Sequence, residues 1–501
     1  MISTPPPDSH AFTDPAQGCE AEKLHLSGAI QGFGALLGLE PFPPYRITHA
    51  STNIADLLGP AAGDLLGQPA ESSGCLDPHT FARLDSQPGQ SLHLPGHTSM
   101  LGNCDLTLIR SQDAILIELE ATRPCTAPIA LQAMQKPFLS VPYQDSEVDA
   151  YHAALVDTVR DITGYDRVMV YRFHDDWSGE VIAEAAEPDL GRYLGLHFPA
   201  SDIPAIARNL YLLNPYRLIA DIHATPVAIL GLDGSIPNLT WSNLRSVSPV
   251  HLQYLANMGI GASFSLPIII SKRLWGLVAC HHRTAHCPSF EQRQACVAIS
   301  RAYSLGLTSH LASRRLRIID SLDRRIEGIL ETLGKYPDPL DGIGEAAPAL
   351  MDTLAAEGFA MAVGDEVVTT GIGPDLTGIS VLDRWFMSHQ GEAVVATDCL
   401  EALFPDEKDM LQACSGVMAI KARLPRSGWV RLYWFRPAEP HEVTWAGNPD
   451  KPTLENTGAT ILSPRRSFEK WVELKTNLSR PWSNEERMTA TKFRNTLMRW
   501  L

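Results

Sequence analysis

The chain has 501 residues, about three domains' worth at roughly 150 residues each. Apolar residues make up 45% and charged residues 20%, which supplies sizeable cores and excludes wholesale disorder. The 41 basic side chains are outnumbered by 57 acidic ones, and a net charge of −16 sets nucleic acid aside as a partner.

No apolar run reaches the roughly 18 residues of a membrane span. The N-terminus, MISTPPPDSHAFTDPAQG, lacks the basic start and apolar core of a signal peptide. Cys19, Cys75, Cys104, Cys125, Cys280, Cys287, Cys296, Cys399 and Cys414 contain no C-x-x-C pair, so neither a zinc ribbon nor a disulfide framework is suggested. The expectation is an acidic cytoplasmic protein with no metal site and no membrane contact.

Residues 1–18, polar and proline-rich, are expected to form a flexible arm. From Leu24 to about Thr122, short apolar runs alternate with turn residues: Ala35 to Leu39, Leu106 to Ile109 and Ala114 to Ile117 read as strands, Ile54 to Leu58 as a short helix. A proline-rich connection from Arg123 to about Pro142 leads to a helix marked by Leu155, Val156, Val159 and Ile162, with Gly164 as its stop. Arg167 to Phe173 and Glu180 to Ala185 read as a hairpin. Ala262 to Ile270 and Leu274 to His281 read as a second, turning at Ser271-Lys272-Arg273.

From Phe290 to about Leu333, apolar residues recur at helical spacing without proline, predicting a helix about 60 Å long that must link two domains. Its Arg314, Arg315, Arg317, Arg324 and Arg325 read as a solvated face. Beyond it, Val367 to Thr370, Ala393 to Ala396 and Trp429 to Phe435 are strand-like. Residues 436–466 are loop-like and proline-rich, with Glu442 to Trp445 strand-like among them; one helix is expected to start near Ser467, and another runs from Ser483. The fold class is therefore α+β: three serial α+β domains joined by a long helix.

Several clusters could carry chemistry. In Ala200-Ser201-Asp202-Ile203-Pro204, the Asp stands in a turn with its carboxylate available, or else Ser201 or Asp202 caps the next helix with Pro204 in the first turn. In Arg245-Ser246-Val247-Ser248-Pro249-Val250-His251-Leu252-Gln253-Tyr254, His251 and Tyr254 are three apart, hence on one helical face. Arg217 and Arg245 could clamp a carboxylate. Cys280-His281-His282 ends a strand; adjacent strand residues face opposite sides, so a shared metal ion is not expected, and no partner for a catalytic thiol is apparent. Asp341-Gly342-Ile343-Gly344 lacks the companion boxes of a kinase ATP site, and no phosphate-binding Gly-x-x-x-x-Gly-Lys occurs. Pro464-Arg465-Arg466-Ser467-Phe468 closes an excursion of roughly 30 residues, a length usually kept for function.

Taken in order, these pieces resemble the photosensory core of bacterial phytochromes, with PAS, GAF and PHY domains in series. The carriers are the lead-in from Cys19 to Gly34, Ser-Asp-Ile-Pro at 201–204, Ser-Pro-x-His-x-x-Tyr at 248–254, Trp-Gly-Leu-x-Ala-Cys-His-His at 275–282 and Pro-Arg-x-Ser-Phe at 464–468. The lead-in is looser than the family pattern, with Glu-Lys-Leu-His and Gln-Gly-Phe-Gly where Glu-Pro-Ile-His and Gln-Pro-His-Gly are usual. The resemblance implies a PAS domain over 19–130, a GAF chromophore domain over 143–318 and a PHY domain over 319–501 with a tongue at about 437–468.

It further implies a red/far-red photoreceptor that binds biliverdin IXα, a linear tetrapyrrole, and switches by bilin isomerisation. Cys19 matches the biliverdin-linking cysteine, while the position used by other bilins, just before the pocket His, is Val250. Asp202 and His251 would serve the ring nitrogens. Arg217 and Arg245, with Tyr211, Ser248, Ser263 and Ser265, would hold the propionates. Met169, Tyr171, Phe198 and Tyr254 would wall the terminal ring beside Ile203 and Pro204, and His281 would be its hydrogen-bond partner. Arg465 on the tongue would meet Asp202.

A homodimer through the long helices and a downstream output domain or signalling protein are the implied partners. No histidine-kinase, cyclase or phosphodiesterase sequence is recognisable, so the chain reads as a sensor rather than an enzyme. The alternative is a GAF-type small-molecule sensor for a cyclic nucleotide or haem, which would not need Cys19 or the Arg465 loop.

Overall fold

A computed structural model of the chain describes residues 22–74, 78–81, 83–84, 86–99, 102–123, 128–389, 392–406, 414–424, 428–449, 453–456, 459–462 and 468–500. The N-terminal arm, Cys19 and Arg465 lie outside the described residues. The chain divides into two compact units, one running to His310 and including Thr444–Trp471, the other formed by Leu311–Val443 and Val472 onward.

The first unit begins with strands β1 (Ala29–Ile30), β2 (Ala35–Leu39), β3 (Ile47–Ser51), β4 (Ser91–Ser99), β5 (Gly102–Arg110) and β6 (Ile115–Ala121). Leu37, Ile47, Leu106, Leu108 and Ile117 bury one face of this sheet, and Leu58 of the short helix Ala55–Leu58 packs on it. The segment between the two expected domains is not wholly irregular: it holds a short helix, Leu131–Gln135, and a 3-10 turn, Lys136–Phe138.

The next helix, Asp145–Thr163, opens on a reciprocal capping box between Gln144 and Glu147 and stops at Gly164, whose φ of 70° suits glycine. Strands β7 (Arg167–Phe173), β8 (Gly179–Ala186), β9 (His197–Phe198), β10 (Arg217–Ile219), β11 (Val227–Gly231), β12 (Ala262–Ile270) and β13 (Arg273–His282) follow. Ser271 and Lys272 both have positive φ, the geometry of a tight two-residue hairpin turn joining β12 to β13. The long helix spans Phe290–Leu333.

One strand leaves its neighbours. β11 inserts between β1 and β3 and completes a seven-stranded sheet of order β1-β11-β3-β2-β6-β5-β4. The following segment packs on the same sheet. Glu118 of β6, 2% exposed, accepts from the Ser242 hydroxyl at 2.7 Å and from the backbone N–H groups of Asn243 and Leu244 at 2.7 and 3.1 Å. Burial raises its pKa, and the bonds from Ser242, Leu244 and Asn243 oppose that rise.

In the second unit, β14 (Gly358–Val363), β15 (Glu366–Gly371), β16 (Val394–Thr397), β17 (Gly416–Leu424) and β18 (Gly428–Arg436) form a sheet of order β15-β14-β18-β17-β16. Phe359, Met418, Ile420 and Trp434 bury one of its faces against Ile326 and Ile329 of the long helix and Phe493 of the last helix, Asn484–Trp500. The basic face of the long helix is partly paired rather than wholly solvated. Arg314 meets Glu485 at 2.7 Å and Arg325 meets Asp352 at 3.0 Å.

The strand-like Glu442 to Trp445 lies in β19 (His441–Ala446), and the rest of the stretch expected to be loop also holds the hairpin β20 (Thr453–Asn456) and β21 (Ala459–Leu462). The helix expected near Ser467 is instead a strand, β22 (Lys470–Lys475). An edge position beside β19 gives its backbone donors and acceptors partners, and that outweighs helix-compatible side chains. The second sheet thus reads β10-β12-β13-β7-β8-β9-β19-β22.

Candidate functional site: a cavity in the second sheet domain

The turn before the helix Ala205–Leu213 is a 3-10 turn at Ala200–Asp202 flanked by Pro199 and Pro204. Pro204 itself is the helix N-cap and no side chain caps it, so neither Ser201 nor Asp202 serves as a cap. Asp202 is held by another element. Tyr254, on the helix Pro249–Asn257, donates its hydroxyl to Asp202 Oδ2 at 3.0 Å. The turn is also tied from behind, where the Arg208 guanidinium donates to the Ile203 carbonyl at 2.5 Å and lies 4.5 Å from the Trp177 ring centre. Sequence reasoning passed over Arg208, because nothing local marks a guanidinium that folds back on its own helix entry.

Met169, Tyr171, Phe198, Asp202, Ile203, Pro204, Tyr211, Arg217, Arg245, Ser248, His251, Tyr254, Ser263, Ser265 and His281 all line one cavity. Strand period brings several of them there. Met169 and Tyr171 alternate on β7, Ser263 and Ser265 on β12, and Ala279 and His281 on β13. Leu277, two residues further back on β13, and Val181 on β8 also line the cavity. The sequence reading missed these two, although stepping back by two residues twice from His281, through Ala279, would have found Leu277. The same alternation turns Cys280 away; it is fully buried, and burial pushes its thiol pKa well up. His282 likewise leaves the cavity, stacking on His286 at 4.6 Å with Asp166 3.8 Å away. Among the described residues, no cysteine lines the cavity.

Its chemistry is divided. Tyr171 meets Phe198 at 5.8 Å and Phe173 edge-on at 5.2 Å, walling one side with aromatic rings. Gly179 makes room for this, since a Cβ there would stand 1.9 Å from Tyr171 Cζ. His251 and Tyr254 lie nearly parallel, 5.9 Å apart, and Phe468 sets its ring edge-on to Tyr254 at 5.2 Å.

Two arginines supply positive charge. Arg217 donates to the Ser246 carbonyl at 2.9 Å, and Arg245 donates to the Leu239 and Thr240 carbonyls at 3.0 and 3.1 Å. Burial and the neighbouring Arg245 lower the Arg217 pKa to about 9, and burial lowers that of Arg245 to about 10. Burial and then Arg217 lower His251 to about 4; burial, Arg167 and His251 lower His281 to about 3. Both imidazoles are therefore neutral at pH 7, able to accept as well as donate. Buried Arg217 Nη1 and His281 Nδ1 have no hydrogen-bond partner in the protein. A ligand with anionic groups near the arginines and a polar group near His281 would satisfy both.

Family models match the chain in three successive stretches: the PAS fold at residues 19–122, the GAF domain at 149–303 and the phytochrome region at 324–501. A bacteriophytochrome of Xanthomonas campestris is 32% identical over 93% of this chain and 75% of its own length, and one of Pseudomonas aeruginosa is 34% identical over 96% and 66%. Cyanobacterial phytochrome B of Nostoc is 32% identical over 96% of the chain, which spans only 65% of that relative. Among solved structures, a bacteriophytochrome of R. palustris matches with a TM-score of 0.81 at 31% identity, covering 96% of this chain and 98% of its own. The Stigmatella aurantiaca phytochrome photosensory core module gives 0.82 at 31% with the same coverage. A shared order of three domains, a shared fold and identity above 30% lead to one conclusion: the chain belongs to the phytochrome family of light receptors, as a PAS–GAF–PHY photosensory core of the bacteriophytochrome kind.

Proposed function

We propose that the cavity binds biliverdin IXα, that Cys19 carries the covalent link, and that bilin isomerisation switches the module between two light-absorbing states. The observation that carries this reading is the donor set: two buried arginines, two neutral imidazoles and an aromatic wall around one cavity, with Arg217 Nη1 and His281 Nδ1 lacking protein partners. When bound, the tetrapyrrole supplies light absorption and a rotatable double bond. The protein supplies the rest. Arg217 and Arg245 neutralise the two propionates, with Tyr211, Ser248, Ser263 and Ser265 adding hydroxyls. Asp202 and His251 accept from ring N–H groups, and His281 bonds the terminal ring.

Two features of the cavity wall support Cys19 as the attachment site. Val250 lines the cavity and has no nucleophile, and no described cysteine reaches it. Glu22 and Leu24 do line it, and Cys19 is three residues from Glu22, within about 11 Å of extended chain.

The module is read as PAS 19–130, GAF 143–318 and PHY 319–501, with a tongue at about 437–468 whose Arg465 meets Asp202. It acts as a sensor rather than an enzyme, pairs as a homodimer through the long helices and signals to an output domain or partner in the cytoplasm. Exposed Leu305 and Leu316 on the long helix, 73% and 61% accessible, support the dimer.

Co-expression with a haem oxygenase tests the reading. A coloured protein whose red absorption changes reversibly on illumination is expected, with a zinc-fluorescent covalent band that Cys19→Ser abolishes. A colourless product would return the cavity to a small-molecule sensor.

A further inference from the structure

Outside the cavity, three metal-ligating side chains meet where the tongue strand joins the second sheet. His174 follows β7 at the turn into β8, Glu180 stands on β8 and His197 on β9. Glu180 and His197 sit directly opposite each other in the antiparallel register. One ligand atom from each residue lies within 4.8 Å of the others, and His174 Nε2 is 3.4 Å from Glu180 Oε2. Ligand atoms about 2.0–2.1 Å from a tetrahedral Zn²⁺ are themselves about 3.4 Å apart, so small side-chain rotations complete the geometry. The two imidazoles stack at 5.4 Å with planes 14° apart.

The turn that carries His174 is built rather than loose. His174 N–H donates to the Ser178 carbonyl at 2.8 Å, Trp177 N–H donates to the His174 carbonyl at 3.0 Å, and Asp176 Oδ1 accepts from Ser178 N–H and Oγ at 2.9 and 2.6 Å. Arg172 already holds Glu180 Oε2 at 2.8 Å. A carboxylate offers roughly four lone-pair sites, so Oε1 stays available to a cation. All three ligand residues are part-exposed, which leaves an entry path.

The geometry points to a divalent transition-metal site, suited to Zn²⁺, in which His174, His197 and Glu180 supply three ligands and water the fourth. It is independent of what fills the cavity. Its position gives it a consequence: His197 pairs with Trp445 of β19 through the backbone, and their rings meet edge-on at 5.8 Å. An ion on His197 fastens β9 to the β7–β8 turn and thereby steadies the strand to which the tongue attaches.

The test uses the whole chain, stripped with a chelator and titrated with Co²⁺ and then Zn²⁺. The expected result is one equivalent of Co²⁺ with visible ligand-field bands and no thiolate charge-transfer band. His174→Ala, His197→Ala and the near-isosteric Glu180→Gln should each weaken binding by at least about tenfold. Zn²⁺ should slow hydrogen exchange at residues 444–446 in the parent protein and not in the His197→Ala variant. Absent binding, thiolate bands, or parent-like affinity in the histidine and Glu180→Gln variants would overturn the site.

Discussion

The Tyr254 hydroxyl donates to Asp202 Oδ2 across 3.0 Å and so ties the helix Pro249–Asn257 to the turn ahead of the helix Ala205–Leu213. Phe468 rests edge-on against the same Tyr254 ring, 5.2 Å away. One aromatic side chain thus touches both the cavity lining and Phe468. A bond to a carboxylate contributes about 1.5–3 kcal/mol. Tyr254→Phe keeps the ring and removes the hydroxyl that makes this bond, so ligand-free protein should lose about that much in denaturant unfolding. The chromophore-loaded variant should still assemble but revert in the dark at a changed rate. Parent-like stability together with a parent-like reversion rate would show that the bond is idle.

Gly179 is set by Tyr171. A methyl at residue 179 would fall 1.9 Å from Tyr171 Cζ and 2.1 Å from its hydroxyl oxygen, so the ring must leave its place. Gly179→Ala is expected to cost about 1–3 kcal/mol, as overpacking does, and to alter the cavity wall. The check is a thermal melt beside absorption and fluorescence spectra of the bilin-loaded variant, where a looser wall should raise emission and lower photoconversion.

Acid should destabilise the ligand-free protein in a defined window. His251 has a folded pKa of about 4 against the ordinary 6.5, so the unfolded chain takes up its proton first as pH falls. The stability that neutral His251 contributes is complete above pH 6.5 and is lost as pH falls towards 4; His281 extends the loss to about pH 3. Each proton contributes at most about 1.4 kcal/mol per pH unit. His251→Gln should therefore flatten the fall in stability between pH 6.5 and 4. Equal slopes in the two proteins would mean that His251 titrates normally.

Arg293 of the long helix, 1% exposed, meets Glu120 of β6 at 2.6 Å and the Tyr216 hydroxyl at 3.1 Å. Removing one member of a buried pair strands the other charge. Arg293→Met should cost about 3–5 kcal/mol, and the double variant with Glu120→Leu should recover part of it. Urea unfolding of the four proteins in that cycle measures the coupling, and strict additivity would show the pair to be independent.

Much of the fold was legible because it is written in short-range pattern. β7 spans Arg167–Phe173 residue for residue as its apolar run predicts, and the proline-free apolar spacing from Phe290 delivers the helix Phe290–Leu333. The hairpin turn at Ser271 and Lys272 and the stop at Gly164 needed only local backbone geometry. The sequence placed the site residues in their motifs, and strand alternation explains why Ser263, Ser265 and His281 share a cavity.

The choice of partners was not legible. Val227–Gly231 is an ordinary five-residue strand in sequence, yet it pairs with β1 and β3 nearly two hundred residues earlier in the chain. Gln31 Nε2 likewise finds the Leu218 carbonyl at 2.8 Å. Lys470–Lys475 has side chains that suit helix or strand, and the sheet edge beside β19 decided for strand. Asp202 could have capped a helix, and the Tyr254 hydroxyl made it an acceptor across the cavity instead. By itself, the sequence determined the periodic elements, their punctuation and the residue types available for chemistry, because propensity and pattern act over a few residues. Only the tertiary structure decided which buried polar groups meet, because each must find a partner, and that partner lies on an element distant in the chain.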